Sequence, residues 1–304
     1  MKNKILLVIA VILSIIYINI RSTSPSTSFF EPPSQSIKVK NTTTNEILTL
    51  EMEKYIIGVV AGEMPASFEL ESLKAQAIAA RSYAYSKIKK ANDIYNLTND
   101  TSSQVYLTEE QMKNKWQNEY EYYYTKVKNA VDSTKDMVLT FDDQIISAYY
   151  FAMSNGYTEN ALTVFNENKS YLVSVESKED VSHRNYAITM NFTKDTVCNK
   201  LSISCSNLVI NKIVRNNTNR VDYITINNKQ FKGTTFRKLL GLRSTDFDIK
   251  INGNDVAITT RGYGHGVGMS QYGANLMAKE GKTYDEILAH YYTDSEIKNI
   301  HSIK

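Results

Sequence analysis

Five of the twelve glycines of this 304-residue chain lie within twelve residues, in the stretch RGYGHGVGMSQYG that begins at Arg261. They occupy positions 262, 264, 266, 268 and 273, directly after a run, 256–260, that is typical of a strand. Alternate glycines after a strand indicate a backbone that bends sharply or is approached closely by other chain segments. The cluster is therefore either a rim that presents binding or catalytic side chains, or a structural group of turns.

A nucleotide-binding loop is excluded by the spacing of these glycines. Val267, Met269 and Gln271 occupy the third-glycine positions of G-x-G-x-x-G, and no G-x-x-x-x-G-K occurs. His265 has no second His or carboxylate at ligand spacing, so a hydrogen-bonding role is favoured over metal ligation. The side chains that such a rim would present are Arg261, Tyr263, His265, Ser270, Gln271 and Tyr272.

Helical patterns lie early and late in the body of the chain, and strand patterns lie between them. The predicted helices are 53–62, about 67–90, 109–135 with one break, about 270–279 and about 284–290. The predicted strands are 37–40 and 46–52, joined by a polar turn, followed by 137–141, 145–152, 171–175, 186–192, 208–215, 223–227, 247–251 and 256–260. This order predicts a single α+β domain over residues 37–304, with antiparallel strands, and not a repeated βαβ fold.

The segment Ile5–Ile20 is almost wholly apolar and follows Lys2 and Lys4. A helix of this length spans about 24 Å, short of the ~30 Å hydrocarbon core, so it suits a signal-peptide core or a short anchor. It lacks a small-residue cleavage pattern, and the positive charge lies mainly before it, so we expect an uncleaved single-pass anchor in the cell membrane over residues 1–20. Its amino end would be cytoplasmic. The Ser/Thr/Pro-rich residues 21–36 would form a spacer, and the domain would be extracytoplasmic.

Charge and cysteine content argue against a nucleic-acid-binding protein and against a zinc protein. From residue 37 onward, 32 basic and 31 acidic residues leave a net charge of +1, which argues against nucleic acid as a partner. Cys198 and Cys205 are either a small disulfide or two buried thiols. Two cysteines without a nearby histidine do not favour zinc, and we expect no metal and no cofactor.

Glu63 lies in the stretch VVAGEMP, between Gly62 and Pro65, at the junction of two apolar helices. It is either an ordinary surface carboxylate or a carboxyl group in apolar surroundings that could donate a proton near neutral pH. Lys74 and Arg81 are seven residues apart on one face of the next helix. They either bind an anionic or polyhydroxyl ligand or form a solvated basic face.

Taken together, five stretches resemble the stage II sporulation protein D family and its amidase-enhancer relatives. They are VVAGEMPASFELESLKAQAIAARSYAY (59–85), NDTSSQVY (99–106), SNGYTEN (154–160), YLVSVES (171–177) and RGYGHGVGMSQYGANLMAKEGKTYDEILAHYY (261–292). The resemblance covers about residues 37–297. It implies a lytic transglycosylase that cleaves peptidoglycan glycan strands, preferably those stripped of stem peptides, during forespore engulfment. It also implies stage II sporulation proteins P and M as partners, and a non-catalytic amidase enhancer as the alternative.

The resemblance also assigns residues. The catalytic acid falls on Glu63, and two important basic residues fall on Lys74 and Arg81. A hydrolase that uses Glu63 with Glu159 is the nearest enzymatic rival. The implied substrate-binding positions in the cleft are Gln104, Tyr106, Ser154, Thr158, Glu159, Arg261, Tyr263, His265, Gln271 and Tyr272.

One departure from the family pattern concerns zinc. Some family members bind zinc through Cys and His in the loop that precedes the Gln-x-Tyr motif. Leu97, Ser102 and Ser103 stand at those places in this chain. We therefore expect no metal at this loop.

Overall fold

The predicted early and late helices are present, and three further helices lie among the strands, in a computed structural model that describes residues 36–88, 94–178 and 183–303. The predicted anchor and all of the predicted spacer except its last residue lie outside these residues. Among the described residues, no helix is both long enough and apolar enough to span a bilayer. The α-helices are α1 (Met52–Glu63), α2 (Leu70–Lys87), α3 (Glu109–Trp116), α4 (Tyr120–Asp132), α5 (Ala161–Phe165), α6 (Lys194–Leu201), α7 (Gly233–Leu240), α8 (Gln271–Lys279) and α9 (Tyr284–Tyr291).

The strands form several small sheets. They are β1 (Ser36–Lys40), β2 (Ile47–Glu51), β3 (Leu97–Thr98), β4 (Met137–Phe141), β5 (Gln144–Ile145), β6 (Tyr150–Phe151), β7 (Gly156–Tyr157), β8 (Glu176–Ser177), β9 (Ala187–Thr193), β10 (Ile210–Arg215), β11 (Val221–Ile226), β12 (Lys229–Lys232), β13 (Asp246–Asn252), β14 (Asp255–Arg261), β15 (Met269–Ser270) and β16 (Glu296–Asn299). The three-stranded sheets have the orders β2-β1-β3, β10-β11-β12, β13-β14-β9 and β16-β4-β5. Two short ladders join β15 to β6 in parallel and β7 to β8 in antiparallel.

Helix α2 is the centre of the larger hydrophobic core. It packs against α1, α4, α8, α9 and β4. Ala75, Ala77, Ala79, Ala80 and Ala84 are all fully buried. Small side chains on several faces let neighbouring elements approach from all sides, as expected for a helix that is buried all round.

A second, smaller core lies beneath the sheet β13-β14-β9. Helices α6 and α7 cover it, with buried side chains such as Val197 and Ile258. Phe236 of α7 stacks on Phe247 of β13, with ring centroids 5.1 Å apart. Of the candidate residues, Tyr106 belongs to the larger core and Tyr272 packs against it.

The predicted α+β class is confirmed. Two predicted strands are wrong in extent. The strand expected over 145–152 is reduced to β5 and β6, and between them the Ser147 N–H donates to the Tyr171 hydroxyl (3.3 Å). Residues 171–175 form a loop, and the Val175 carbonyl in this loop accepts a hydrogen bond from the Thr158 N–H. Within the part of the chain that the structure describes, neither segment has a partner strand along its whole length, and alternation in the sequence does not reveal this.

Cys198 and Cys205 form a disulfide, with their Cα atoms 5.6 Å apart. The bond joins the last turns of α6 to the loop that follows it. Of the two alternatives for this pair, the structure has the disulfide.

Candidate active site

Glu63 is the last residue of α1, where the helix stops before Pro65. A loop from a distant part of the chain lies directly on this helix end. A Cβ atom at Gly62 would lie 2.4 Å from the Val105 carbonyl oxygen, so only glycine permits the approach. The Val105 N–H donates to Glu63 Oε1 at 2.6 Å. The glycine before the acid therefore serves to bring a hydrogen-bond donor onto its carboxyl group.

The carboxyl group of Glu63 is poised between its two protonation states near neutral pH. Burial raises its pKa from 4.5 to about 6. Three groups oppose this rise: the Val105 N–H, the side chain of Gln271 and the positive charge of Lys115. Lys115 is held close because its Nζ donates to the Ala61 carbonyl (2.8 Å). Of the two alternatives for Glu63, the structure has the carboxyl group in desolvated surroundings.

Gln104 and Tyr106 lie on either side of this donor. Gln104 is buried, and its amide bonds to the Tyr55 hydroxyl (3.0 Å), the Ala80 carbonyl (3.2 Å) and the Tyr150 hydroxyl (2.8 Å). The Tyr106 ring stacks on Tyr55, with centroids 5.5 Å apart. Both candidate residues thus hold the loop in place beside Glu63.

An aromatic cavity of about 270 Å³ opens beside the acid. Glu63 contributes to the raised pKa values of Tyr83 and Tyr150, both of which line the cavity, although burial is the larger cause. Gln104 lines the cavity, and Val105, the next residue, donates to Glu63 Oε1, so the carboxyl group lies close to the cavity wall. The cavity is lined by Tyr83, Thr101, Ser102, Ser103, Gln104, Tyr149, Tyr150, Phe165 and His265.

His265 contributes a neutral ring to this wall. Its Nδ1 accepts from the Val267 N–H (3.0 Å), so the hydrogen of the neutral ring is on Nε2. Burial lowers its pKa to about 3. The ring packs edge-on against Phe165, with centroids 5.1 Å apart. His265 is therefore suited to packing and hydrogen bonding and not to acid–base chemistry near neutral pH.

The glycine cluster lies along the segment that ends in β6. A Cβ atom at Gly268 would lie 1.9 Å from the Tyr149 carbonyl oxygen, and its φ of +77° also favours glycine. The Tyr263 N–H donates to the Met153 carbonyl (2.7 Å). The glycines thus permit close backbone approach, and the same run places His265 at the cavity. The structural reading therefore holds for these glycines, and a binding role for the side chains of the cluster stays a prediction.

Gln271 and Tyr272 begin α8 on the other side of Glu63. Gln271 is buried, hydrogen-bonds the Glu63 carboxylate and donates from Nε2 to Gln76 Oε1 at 3.4 Å. The Tyr272 ring packs edge-on against Phe68, with centroids 5.0 Å apart. The structure therefore brings the Gln271 side chain to Glu63, and the role of Tyr272 in the cleft stays a prediction.

Three candidates in the SNGYTEN stretch hold loops together. The Ser154 hydroxyl donates to the Ser177 carbonyl (2.8 Å), and the Thr158 hydroxyl accepts from the Val175 N–H (2.9 Å). Glu159 is buried and forms an ion pair with Arg220 (3.2 Å). Held in this way, Glu159 is not a free second carboxylate, which weighs against the two-carboxylate hydrolase.

Arg261 and Tyr263 lie on a different part of the surface. Arg261 forms ion pairs with Asp246 (3.0 Å) and Asp248 (2.8 Å). Tyr263 is 48% exposed, and the Arg243 guanidinium lies 4.4 Å from its ring centroid. Among the described residues, neither side chain forms a hydrogen bond, an ion pair or a ring contact with Glu63, Gln104 or Gln271.

Lys74 and Arg81 do not share an exposed basic face. Arg81 is fully buried and binds Glu53 through two hydrogen bonds of 2.8 and 2.6 Å. Lys74 pairs with Glu71 (2.7 Å) and lies 5.7 Å from the ring centroid of Tyr284. The expectation of a solvated basic face is therefore wrong for Arg81, because tertiary packing covers it.

Sequence reasoning missed Tyr55, Tyr83, Tyr150 and Lys115. The three tyrosines are hidden among 21 in a chain rich in this residue. Lys115 belongs to a charged helix whose outward pattern gives no sign of a contact with α1. Tyr83 lies within a matched stretch, and Tyr55 and Tyr150 each lie four residues before one, which is the signal that could have suggested them. Of the three, Tyr83 and Tyr150 line the cavity, and Tyr55 bonds to Gln104 behind it.

The loop with Leu97, Ser102 and Ser103 is held by hydrogen bonds. Ser103 Oγ accepts from the Thr98 N–H at 3.1 Å. Within the residues that the structure describes, no group of three or more His, Cys, Asp or Glu is placed to hold a metal ion. The expectation of no zinc stays a prediction.

Comparison with known proteins gives a consistent result. A family model described as "Stage II sporulation protein" matches residues 40–141. The chain is 42% identical over 269 residues to stage II sporulation protein D of Bacillus subtilis (strain 168), covering 86% of this chain and 78% of that protein. It is 38% identical over 291 residues to stage II sporulation protein D of Bacillus amyloliquefaciens, covering 93% of this chain and 84% of that protein. The amidase enhancer of Bacillus subtilis (strain 168) is 28% identical over 294 residues, covering 77% of this chain and 39% of that protein.

Proposed function

The chain belongs to the stage II sporulation protein D family, and from that premise we propose that it is a lytic transglycosylase that cleaves peptidoglycan glycan strands. The observation that carries the proposal is Glu63, a desolvated carboxyl group with a pKa of about 6 beside an aromatic cavity. A lytic transglycosylase needs one acid–base group, because the muramyl 6-hydroxyl is the nucleophile. Strands stripped of stem peptides are the preferred substrate, and forespore engulfment is the setting.

In the proposed step, the protonated Glu63 donates its hydrogen to the leaving glycosidic oxygen as the C1–O bond breaks. The muramyl O6 then bonds to C1, and its proton passes to the Glu63 carboxylate. The acid is regenerated without water. The Val105 N–H and Gln271 stabilise the carboxylate that exists between the two proton transfers.

Product analysis tests this proposal. We expect purified residues 37–304 to convert stripped glycan strands into chains with 1,6-anhydromuramyl ends. Free reducing ends would indicate a hydrolase instead, since water would then be the nucleophile. Intact strands, combined with stimulation of a separate amidase, would support the amidase-enhancer alternative that the more distant relative suggests.

The pH dependence of cleavage tests the role of Glu63 separately. Protonated Glu63 is the active form, so kcat/KM should be flat below about pH 6 and fall as pH rises through the pKa of about 6. The positive charge of Lys115 lowers this pKa. The Lys115→Met variant should therefore move the falling limb to higher pH. A wild-type rate that rises from pH 5 to pH 8 would contradict the assignment.

Location and partners belong to the same proposal. We propose that residues 1–20 anchor the enzyme in the cell membrane, with the domain outside, where the Cys198–Cys205 disulfide would persist. Isolation of a mature protein that lacks these residues would contradict the anchor. Stage II sporulation proteins P and M are the proposed partners, and co-purification from sporulating cells tests them.

A further inference from the structure

The hydrogen-bond network around the Tyr150 hydroxyl defines whether this group donates or accepts in its bond to Gln104. The side-chain amide of Gln104 bonds to this hydroxyl group and, through its other end, to the hydroxyl group of Tyr55. The Ala80 carbonyl oxygen also bonds to this amide, at 3.2 Å. A carbonyl oxygen only accepts hydrogen bonds, so the atom of Gln104 that faces it must be the amide nitrogen.

This assignment fixes the donor and the acceptor of each hydrogen bond that joins Tyr55, Gln104 and Tyr150. The amide nitrogen of Gln104 has two hydrogens, one donated to the Ala80 carbonyl and one to the Tyr150 hydroxyl oxygen (2.8 Å). Its Oε1 accepts from the Tyr55 hydroxyl (3.0 Å). The Tyr150 oxygen is therefore an acceptor towards Gln104, and its own hydrogen has to be donated elsewhere.

Among the described residues, no protein atom accepts a hydrogen bond from the Tyr150 hydroxyl. Tyr150 lines the aromatic cavity, so the hydrogen is available to a ligand there. Burial raises the pKa of Tyr150 well above its usual value, which keeps the hydroxyl protonated. A buried donor without a partner costs stability, and a bound acceptor would recover that cost.

The cavity wall indicates which acceptor fits. The described residues that line it carry aromatic, hydroxyl or amide groups, and His265 is neutral, so the wall itself offers apolar surface and neutral hydrogen-bonding groups. Phe165 and Tyr149, whose ring centroids are 5.0 Å apart, give an apolar surface beside the donor. An acetamido group presents both matching parts, a strong neutral acceptor and a methyl group.

Resting on glycan binding as in the proposed function, we propose that Tyr150 donates a hydrogen bond to the acetamido carbonyl of an amino sugar bound in this cavity. Tyr150 thereby makes the site selective for N-acetylated over de-N-acetylated glycan. Glu63 and Tyr150 would then contact the same substrate at different atoms.

The test measures binding by calorimetry in the Glu63→Gln background, so that the glycan stays intact. N-acetylated chains should bind about tenfold more tightly than the same chains after de-N-acetylation. Adding Tyr150→Phe should weaken the affinity for N-acetylated chains about tenfold and the affinity for de-N-acetylated chains much less. This cycle of enzyme and substrate changes isolates the contact from the charge that de-N-acetylation introduces.

Tyr55→Phe is the matched control, because it removes the hydroxyl that donates to Gln104 Oε1, and Tyr55 is not one of the described residues that line the cavity. It should leave the preference for N-acetylated chains intact. Equal affinity of the Glu63→Gln protein for both chains would overturn the proposal even without the tyrosine variants. An equal loss of preference in both tyrosine variants would also overturn it. A protein that shows the predicted preference but never cleaves glycan would refute the transglycosylase proposal alone.

Discussion

Replacing Glu63 with glutamine is expected to lower the rate of glycan cleavage by about 10²–10⁴-fold, the contribution typical of a positioned general acid. Glutamine keeps the size of the side chain and an oxygen that can accept from the Val105 N–H (2.6 Å). It has no proton to donate at any accessible pH. The rate of formation of anhydro ends, measured with stripped glycan, checks this expectation.

The Glu63→Gln variant should remain folded. The pKa of Glu63 is raised to about 6 in the folded protein, so its ionised form costs stability above that pH, whereas its neutral form does not below about pH 4.5. Glutamine cannot ionise. The melting temperature of the variant at pH 8 should therefore equal or exceed that of the wild type, and the difference should disappear at low pH.

A matched carboxylate shows whether the loss of cleavage is specific. Glu167 accepts a hydrogen bond from the Tyr149 hydroxyl (3.1 Å), at the outer side of the same aromatic wall. Glu167→Gln keeps an acceptor there, and its cleavage rate should stay within a few-fold of wild type. Wild-type cleavage by a folded Glu63→Gln protein would rule out Glu63 as the acid.

The position of Glu63 was predictable because its signals are local. Gly62 and Pro65 mark the end of α1, and the helical pattern of the next segment begins at once. Its chemistry was not predictable from composition, because the donor at Val105 lies 42 residues away and the Gln271 side chain lies far later in the chain. The pKa of Glu63 depends on those tertiary neighbours and on burial.

The helical pattern was also insufficient for Arg81. Helical spacing places Arg81 and Lys74 on one face, but spacing does not reveal which elements cover that face. Glu53, the partner of Arg81, is 28 residues away on another helix. A residue's environment in a core is decided by such long-range contacts, whereas the class of fold follows from the order of local patterns.

The buried ion pair between Arg81 and Glu53 is expected to be a large contribution to stability. Arg81 also donates to the Met137 carbonyl (3.0 Å), so one side chain joins α1, α2 and β4. Arg81→Met should lower the free energy of unfolding by about 3 kcal/mol, near the low end for a broken buried pair because Glu53 is 22% exposed. Denaturant unfolding of residues 37–304 measures this change.

Two further variants separate a structural role from a role in substrate binding. Replacing both partners, Arg81→Met with Glu53→Met, should recover part of the lost stability, because no carboxylate is then left without its partner. Lys113→Met breaks an exposed pair with Glu109 and should change stability little. If Arg81→Met instead leaves the unfolding free energy unchanged and weakens only glycan binding, the substrate role implied by the resemblance is correct. The buried geometry of Arg81, with no surface open to a ligand, favours the first result.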